Sequence, residues 1–150
     1  MTSSETQTVD RETIANDFRE RMEGKLDEEK IDAAANAITS ATGVYPAHGS
    51  LASFIFYVKV QVVVDNGKTF DGNAGGVFTP GGGALFGDVY TDDIDALYSK
   101  TVSCELHSVG VPVAYTGVLF FDGSSNLLGH FQSGAVTTVL GIGGGTGSWS

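Results

Sequence analysis

Few residues in this chain have the type and spacing that chemistry requires. Cys104 and His107 suggest a thiol nucleophile with a nearby base. On a strand, however, an odd separation puts the two side chains on opposite faces, so they cannot hydrogen bond. Cys104 shares its face with Val102 and Leu106 and reads as an inert core thiol. Glu105 and His107 share the other face and read as a surface pair. The three histidines, His48, His107 and His130, fall on separate strands at surface or rim positions. A zinc site needs three or four converging ligands, two of them usually close in sequence, and no such spacing exists. Protonation of the histidines near pH 6 would still make the fold pH-responsive.

Asp92, Asp93 and Asp95 are crowded at the start of a short helical pattern. Glycosidase chemistry needs two carboxylates facing across a cleft, whereas these suit the positive end of a helix. A calcium loop would need glycine at its sixth position, where Leu97 or Tyr98 stands. The run Gly141–Gly147 (GIGGGTG) lacks the lysine and following helix of a phosphate loop. A dinucleotide fingerprint would place its third glycine at Thr146. The run reads as a glycine-rich strand. No catalytic, cofactor-binding or metal-ligating residue emerges, so the sequence predicts a protein that is not an enzyme and carries no cofactor.

The elements around these residues divide the chain in two. Of 21 glycines, only Gly24 precedes Gly43. The net charge is −10, and ten of the eighteen acidic residues come before Ala33. Residues 1–42 form an acidic N-terminal tail, expected to be disordered or weakly helical and solvated. Within it Ile14, Phe18, Met22 and Leu26, then Ile31, Ala35 and Ile38, recur at helical spacing. Residues 43–150 carry only Lys59, Lys68 and Lys100 as fixed cations, too few for nucleic-acid binding. Met1–Asp10 lacks the basic and apolar regions of a secretory leader. No apolar run is long enough for a transmembrane helix.

From Gly43 the period becomes two. Phe54, Phe56, Val58, Val60, Val62 and Val64 form an inward row, while Ile55, Tyr57 and Val63 point outward. Asn66-Gly67 marks a hairpin with a type I′ turn. Strands are expected near Val44–Leu51, Phe54–Asp65, Lys68–Phe78, Ala84–Tyr90, Thr101–Val109, Val113–Phe121, Leu127–Ser133 and from Val136 through Ile142 toward Trp149. A short helix over Thr91–Tyr98, capped by Thr91, interrupts them. Short connections imply antiparallel pairing, and eight such strands close into a barrel. Val113–Phe121 is apolar on both faces, so it must be central or covered on both sides. Phe54, Phe56, Val58, Val60, Leu106 and one of Phe120 or Phe121 would fill the interior. A cavity for a small apolar ligand is the alternative to that filled core.

Three stretches, FGDVYTDDIDALY (86–98), GVLFFDGSSNLLGHFQS (117–133) and GAVTTVLGIGGGTGSW (134–149), resemble the virulence-associated proteins of pathogenic rhodococci. The resemblance runs over about Gly43–Ser150 and leaves the first 40 residues outside it. It implies an eight-stranded antiparallel barrel with one short helix. It also implies a secreted or cell-surface protein, its leader absent from this chain, that supports survival in host macrophages. It brings no catalytic residue or cofactor. The barrel, expected to be a monomer, would act through outer apolar positions such as Ile55, Tyr57 and Val63 on a host membrane or host protein. The tail's composition predicts that limited proteolysis trims roughly the first 40 residues and leaves the barrel. Cleavage spread through Ser50–Phe121 would place the boundary elsewhere.

Overall fold

The computed structural model describes residues 10–110, 114–134 and 137–150. The alternating residues after Gly43 fold into eight strands: β1 (Gly43–Ser53), β2 (Tyr57–Val64), β3 (Thr69–Phe78), β4 (Gly81–Thr91), β5 (Ser103–Val109), β6 (Tyr115–Phe121), β7 (Leu127–Ser133) and β8 (Gly141–Trp149). They close in the order β1-β2-β3-β8-β5-β6-β7-β4, every pair antiparallel. Helix α3 (Ile94–Lys100) joins β4 to β5. The expected eight-stranded closed barrel with one short helix between its strands is what forms.

Side chains fill the interior. Val58, Val60, Val62 and Val64 of β2 face Val118 and Phe120 of β6, Phe131 of β7 and Leu106 of β5 in one buried cluster. Toward the end closed by α3, Phe70, Phe120 and Trp149 pack with ring centroids 4.9 to 5.6 Å apart. The rings fit because the wall of β3 and β8 is thin. A Cβ on Gly147 would lie 2.4 Å from the Phe70 ring, and one on Gly72 would lie 2.7 Å from it.

Several expectations change in detail. β1 continues to Ser53 and β2 begins only at Tyr57, so Phe54 and Phe56 are exposed turn residues and not part of the inward row. The turn is made by Ile55 at φ 77°, a conformation unusual for a β-branched residue. At the next hairpin Asn66, not Gly67, takes the left-handed conformation, so the turn is not type I′. Helix α3 is capped by Asp93, whose carboxylate accepts from the Ala96 amide, while the Thr91 hydroxyl donates to the Leu128 carbonyl. Phe120 points inward and Phe121 outward. β8 starts at Gly141; Val136 and Val113, expected as strand starts, lie outside the described residues.

Helicity before Gly43 takes the form of two helices, α1 (Arg11–Met22) and α2 (Glu28–Ser40), and the pair packs on the barrel instead of standing in solvent. Asp10 caps α1 by accepting from the Glu12 and Thr13 amides, which holds its carboxyl below the usual range. The chain reverses at Gly24, φ 85°. The underside presents Ile14, Phe18 and Met22 from α1 with Ile31, Ala35 and Ile38 from α2. It covers Val109 of β5 and Tyr115, Leu119 and Phe121 of β6. Every residue of β6 is buried, so the expectation that this strand is covered on both sides is met by the helical hairpin.

The thin wall predicts that Gly147→Ala, by pressing on Phe70, lowers unfolding stability by about 1–3 kcal/mol. Ser148→Ala on the outer side of the same strand should change it by less than about 0.5 kcal/mol. Urea unfolding followed by Trp149 fluorescence measures both.

Candidate functional site

Cys104 is buried in the core, with Leu106 as expected, and burial pushes its thiol up to about 12. Val102 lies outside β5 and is exposed. The thiol is therefore protonated at any physiological pH and points away from His107, which sits on the outer face. Glu105 and His107 do share that face, at 3.2 Å, but His107 is not a surface residue. Helix α1 covers it, and the Phe18 ring stacks beside its imidazole at 6.3 Å.

His130 is likewise buried under the hairpin, contrary to the surface position expected of it. Its Nδ1 accepts from the Gln132 amide at 2.9 Å, and its ring stacks on Tyr90 at 5.2 Å. Only His48 is exposed, 3.4 Å from Asp65. Among the described residues no cluster of histidine, cysteine and carboxylates is arranged to hold a metal. Asp92 accepts from the Thr42 amide and hydroxyl, Asp93 caps α3 and Asp95 lies in its first turn, so each of the three carboxylates serves local structure. Gly141–Gly147 is strand, as expected.

The feature that stands apart is one end of the barrel. The antiparallel order brings the β1–β2, β3–β4, β5–β6 and β7–β8 connections to the same end. Phe54, Ile55, Phe56, Tyr57, Val77 and Leu140 are exposed there, with Phe56 71% and Val77 72% accessible. Backbone bonds tie them into one surface. The Gly76 amide donates to the Phe56 carbonyl, the Phe78 amide to that of Ile55 (2.8 Å), and the Thr79 amide to that of Leu140 (2.9 Å). Phe54 stacks on Tyr57 at 5.0 Å, which stiffens the tip.

The barrel segments that form this end carry no fixed charge; Asp17 and Arg21 of α1 stand at its rim, beside Tyr115. Segments 49–58, 72–87 and 123–150 contain no Asp, Glu, Lys or Arg. Asp65, Asp92, Asp93, Asp95, Lys100 and Asp122 all sit at the opposite end, beside the β2–β3, β4–β5 and β6–β7 connections. Of the outer positions singled out from the alternation, Ile55 and Tyr57 belong to the apolar end, while Val63 is half-buried on the wall. Phe54, Phe56, Val77 and Leu140 were missed. The signal that finds them is the set of charge-free segments, which converge only once the topology is known.

A family model described as "Rhodococcus equi virulence-associated protein" matches residues 3–150. The chain belongs to this family. The match takes in the helical hairpin too, beyond the Gly43 start expected from the resemblance. Two solved structures from Rhodococcus equi are similar. Virulence-associated protein VapB is 42% identical at a TM-score of 0.66, with 72% of this chain and 96% of that one covered. Virulence-associated protein VapD is 38% identical at 0.67, with 72% and 97% covered. No curated protein sequence matches. The virulence-associated family fold is thus a filled barrel with an apolar, uncharged end in this member. Among the described residues no helix is long and apolar enough to cross a membrane.

With its thiol buried, Cys104 should resist iodoacetamide at pH 8 in the native state and react only once denaturant unfolds the barrel, as followed by mass spectrometry.

Proposed function

We propose that this chain is a secreted virulence factor that acts without catalysis, through its barrel surface, on a host membrane during survival inside macrophages. The single observation that carries the membrane reading is the uncharged apolar end with Phe54, Ile55, Phe56 and Val77 exposed together. Soluble proteins seldom leave such large apolar side chains clustered in water, and aromatic residues suit the boundary between headgroups and acyl chains. Charge supports the same orientation. A chain of net charge −10 is repelled by anionic lipid, yet Asp65, Asp92, Asp93, Asp95 and Asp122 of the barrel lie at the opposite end. Acidic pH, by protonating carboxylates, reduces that repulsion further.

Occupation of the interior by Phe70, Phe120, Phe131 and Trp149 favours the outer surface over the carriage of a small apolar ligand inside. A groove of about 590 Å³ on the outer wall, with Lys59, Gln61 and Asp71 in its lining, lies open to solvent and is not an interior cavity.

Co-sedimentation of the full chain with phosphatidylcholine vesicles, with and without phosphatidylserine, at pH 7 and pH 5, tests the proposal. The wild type should sediment, more strongly at pH 5 on the anionic vesicles. Phe54→Ser with Phe56→Ser should weaken binding by at least about 100-fold, since each inserted ring is worth about 1.5–3 kcal/mol. Val102→Ser, at the acidic end, should leave it unchanged. Failure of the wild type to sediment under any of these conditions would retire the membrane in favour of a host protein.

A further inference from the structure

The helical hairpin closes over an unusual pair of groups. His130 on β7 is 1% exposed, and its Nε2 has no hydrogen-bond partner. Its surroundings come from four elements. Gln132 on β7 donates to Nδ1, Tyr90 on β4 stacks against the ring, and Leu119 of β6 is its register partner. From the hairpin come the Ile38 carbonyl of α2, which favours a proton on the ring but is outweighed, and the Arg11 guanidinium of α1, which opposes one and lies 4.7 Å over the Tyr90 ring. Asp88 acts on Tyr90, and no carboxylate acts directly on His130. A proton on this imidazole would therefore be buried, would face the amide of Gln132 with a second donor, and would oppose a fixed positive charge carried by the hairpin itself.

The hairpin is otherwise held by apolar packing and by few polar ties. The Tyr115 hydroxyl donates to Asp17, which also pairs with Arg21 at 2.8 Å, and Lys30 donates to Asn126 at 2.7 Å. Arg11 donates to the Ala41 carbonyl at 2.8 Å, which fastens α1 to the end of α2 and not to the barrel. Barrel closure needs none of these contacts, because the eight strands form a complete ring.

We infer that α1–α2 is a cover released by acid: protonation of His130 lifts the hairpin off β5, β6 and β7 while the barrel stays closed. Release bares a second apolar face, made by Val109, Tyr115, Leu119 and Phe121. The inference is independent of the membrane reading.

The direction follows from linkage. Burial first, and then Arg11, lower the docked His130 from its ordinary value to about 3. A histidine depressed in this way binds fewer protons docked than free. Docking is at full strength above about pH 6.5 and weakens as pH falls from there toward about 3. At pH 5 the docking equilibrium should have shifted about 30-fold toward release.

Hydrogen–deuterium exchange on the full chain reads this, with rates corrected for the intrinsic effect of pH. Between pH 7 and pH 5, protection of α1 and α2 should fall about 30-fold relative to that of β2 and β3. His130→Asn should abolish the difference. Should that variant not fold, Arg11→Gln keeps a donor for Ala41 and removes the opposing charge, and it should make the pH effect smaller. Equal loss of protection in hairpin and barrel would overturn the inference. So would unchanged protection at pH 5, or a full pH effect in His130→Asn or, where that variant does not fold, in Arg11→Gln.

Discussion

The structure depends on one steric accommodation: the far edge of the Phe70 ring occupies space that a side chain at Gly72 or Gly147 would fill. A small barrel has a fixed internal volume, and eight full rows of Val, Leu and Phe would overfill it. Here the bulk is distributed unevenly. β2, β6 and β7 supply large residues along their length, whereas β3 and β8 alternate glycines with Phe70, Ala74, Phe78 and Trp149. The aromatic cluster of Phe70, Phe120 and Trp149 exists because of this asymmetry. Once it is packed, large side chains occupy the interior.

That outside is polarised along the barrel axis. Asp65, Asp92, Asp93, Asp95, Lys100 and Asp122 stand at the end that carries α3, and Phe54, Ile55, Phe56, Tyr57, Val77 and Leu140 are exposed at the other. Neither segregation stabilises the fold. An exposed Phe56 gains little from the native state, and Ile55 adopts a left-handed backbone conformation that sterics disfavour.

Much of the barrel was legible in the alternation after Gly43, including the strand count, the antiparallel pairing, the inward face of Cys104 and the double-sided burial of β6. The β1–β2 turn was not. Phe54-Ile55-Phe56 contains no Gly, Pro, Asn or Asp, and its apolar residues continue the parity of β2 without a break. The burial of His107 and His130 was hidden for a different reason. It depends on a partner about a hundred residues earlier whose own composition is charged and only modestly apolar. The clue was present in β6, whose outer face had to be covered by something.

β8 is the keystone of the ring. It stands between β3 and β5, yet it follows both in the chain by tens of residues. A chain whose synthesis has reached β7 but not β8 therefore holds two unpaired strand edges, each a template for pairing with another molecule. Closure is long-range and late, which makes for slow folding and leaves the immature chain prone to aggregation. The glycine content of β8 bears on this hazard as well. A strand so poor in side chains has little tendency to pair wrongly, and it gains its stability only where β3 and β5 are already in place to receive it.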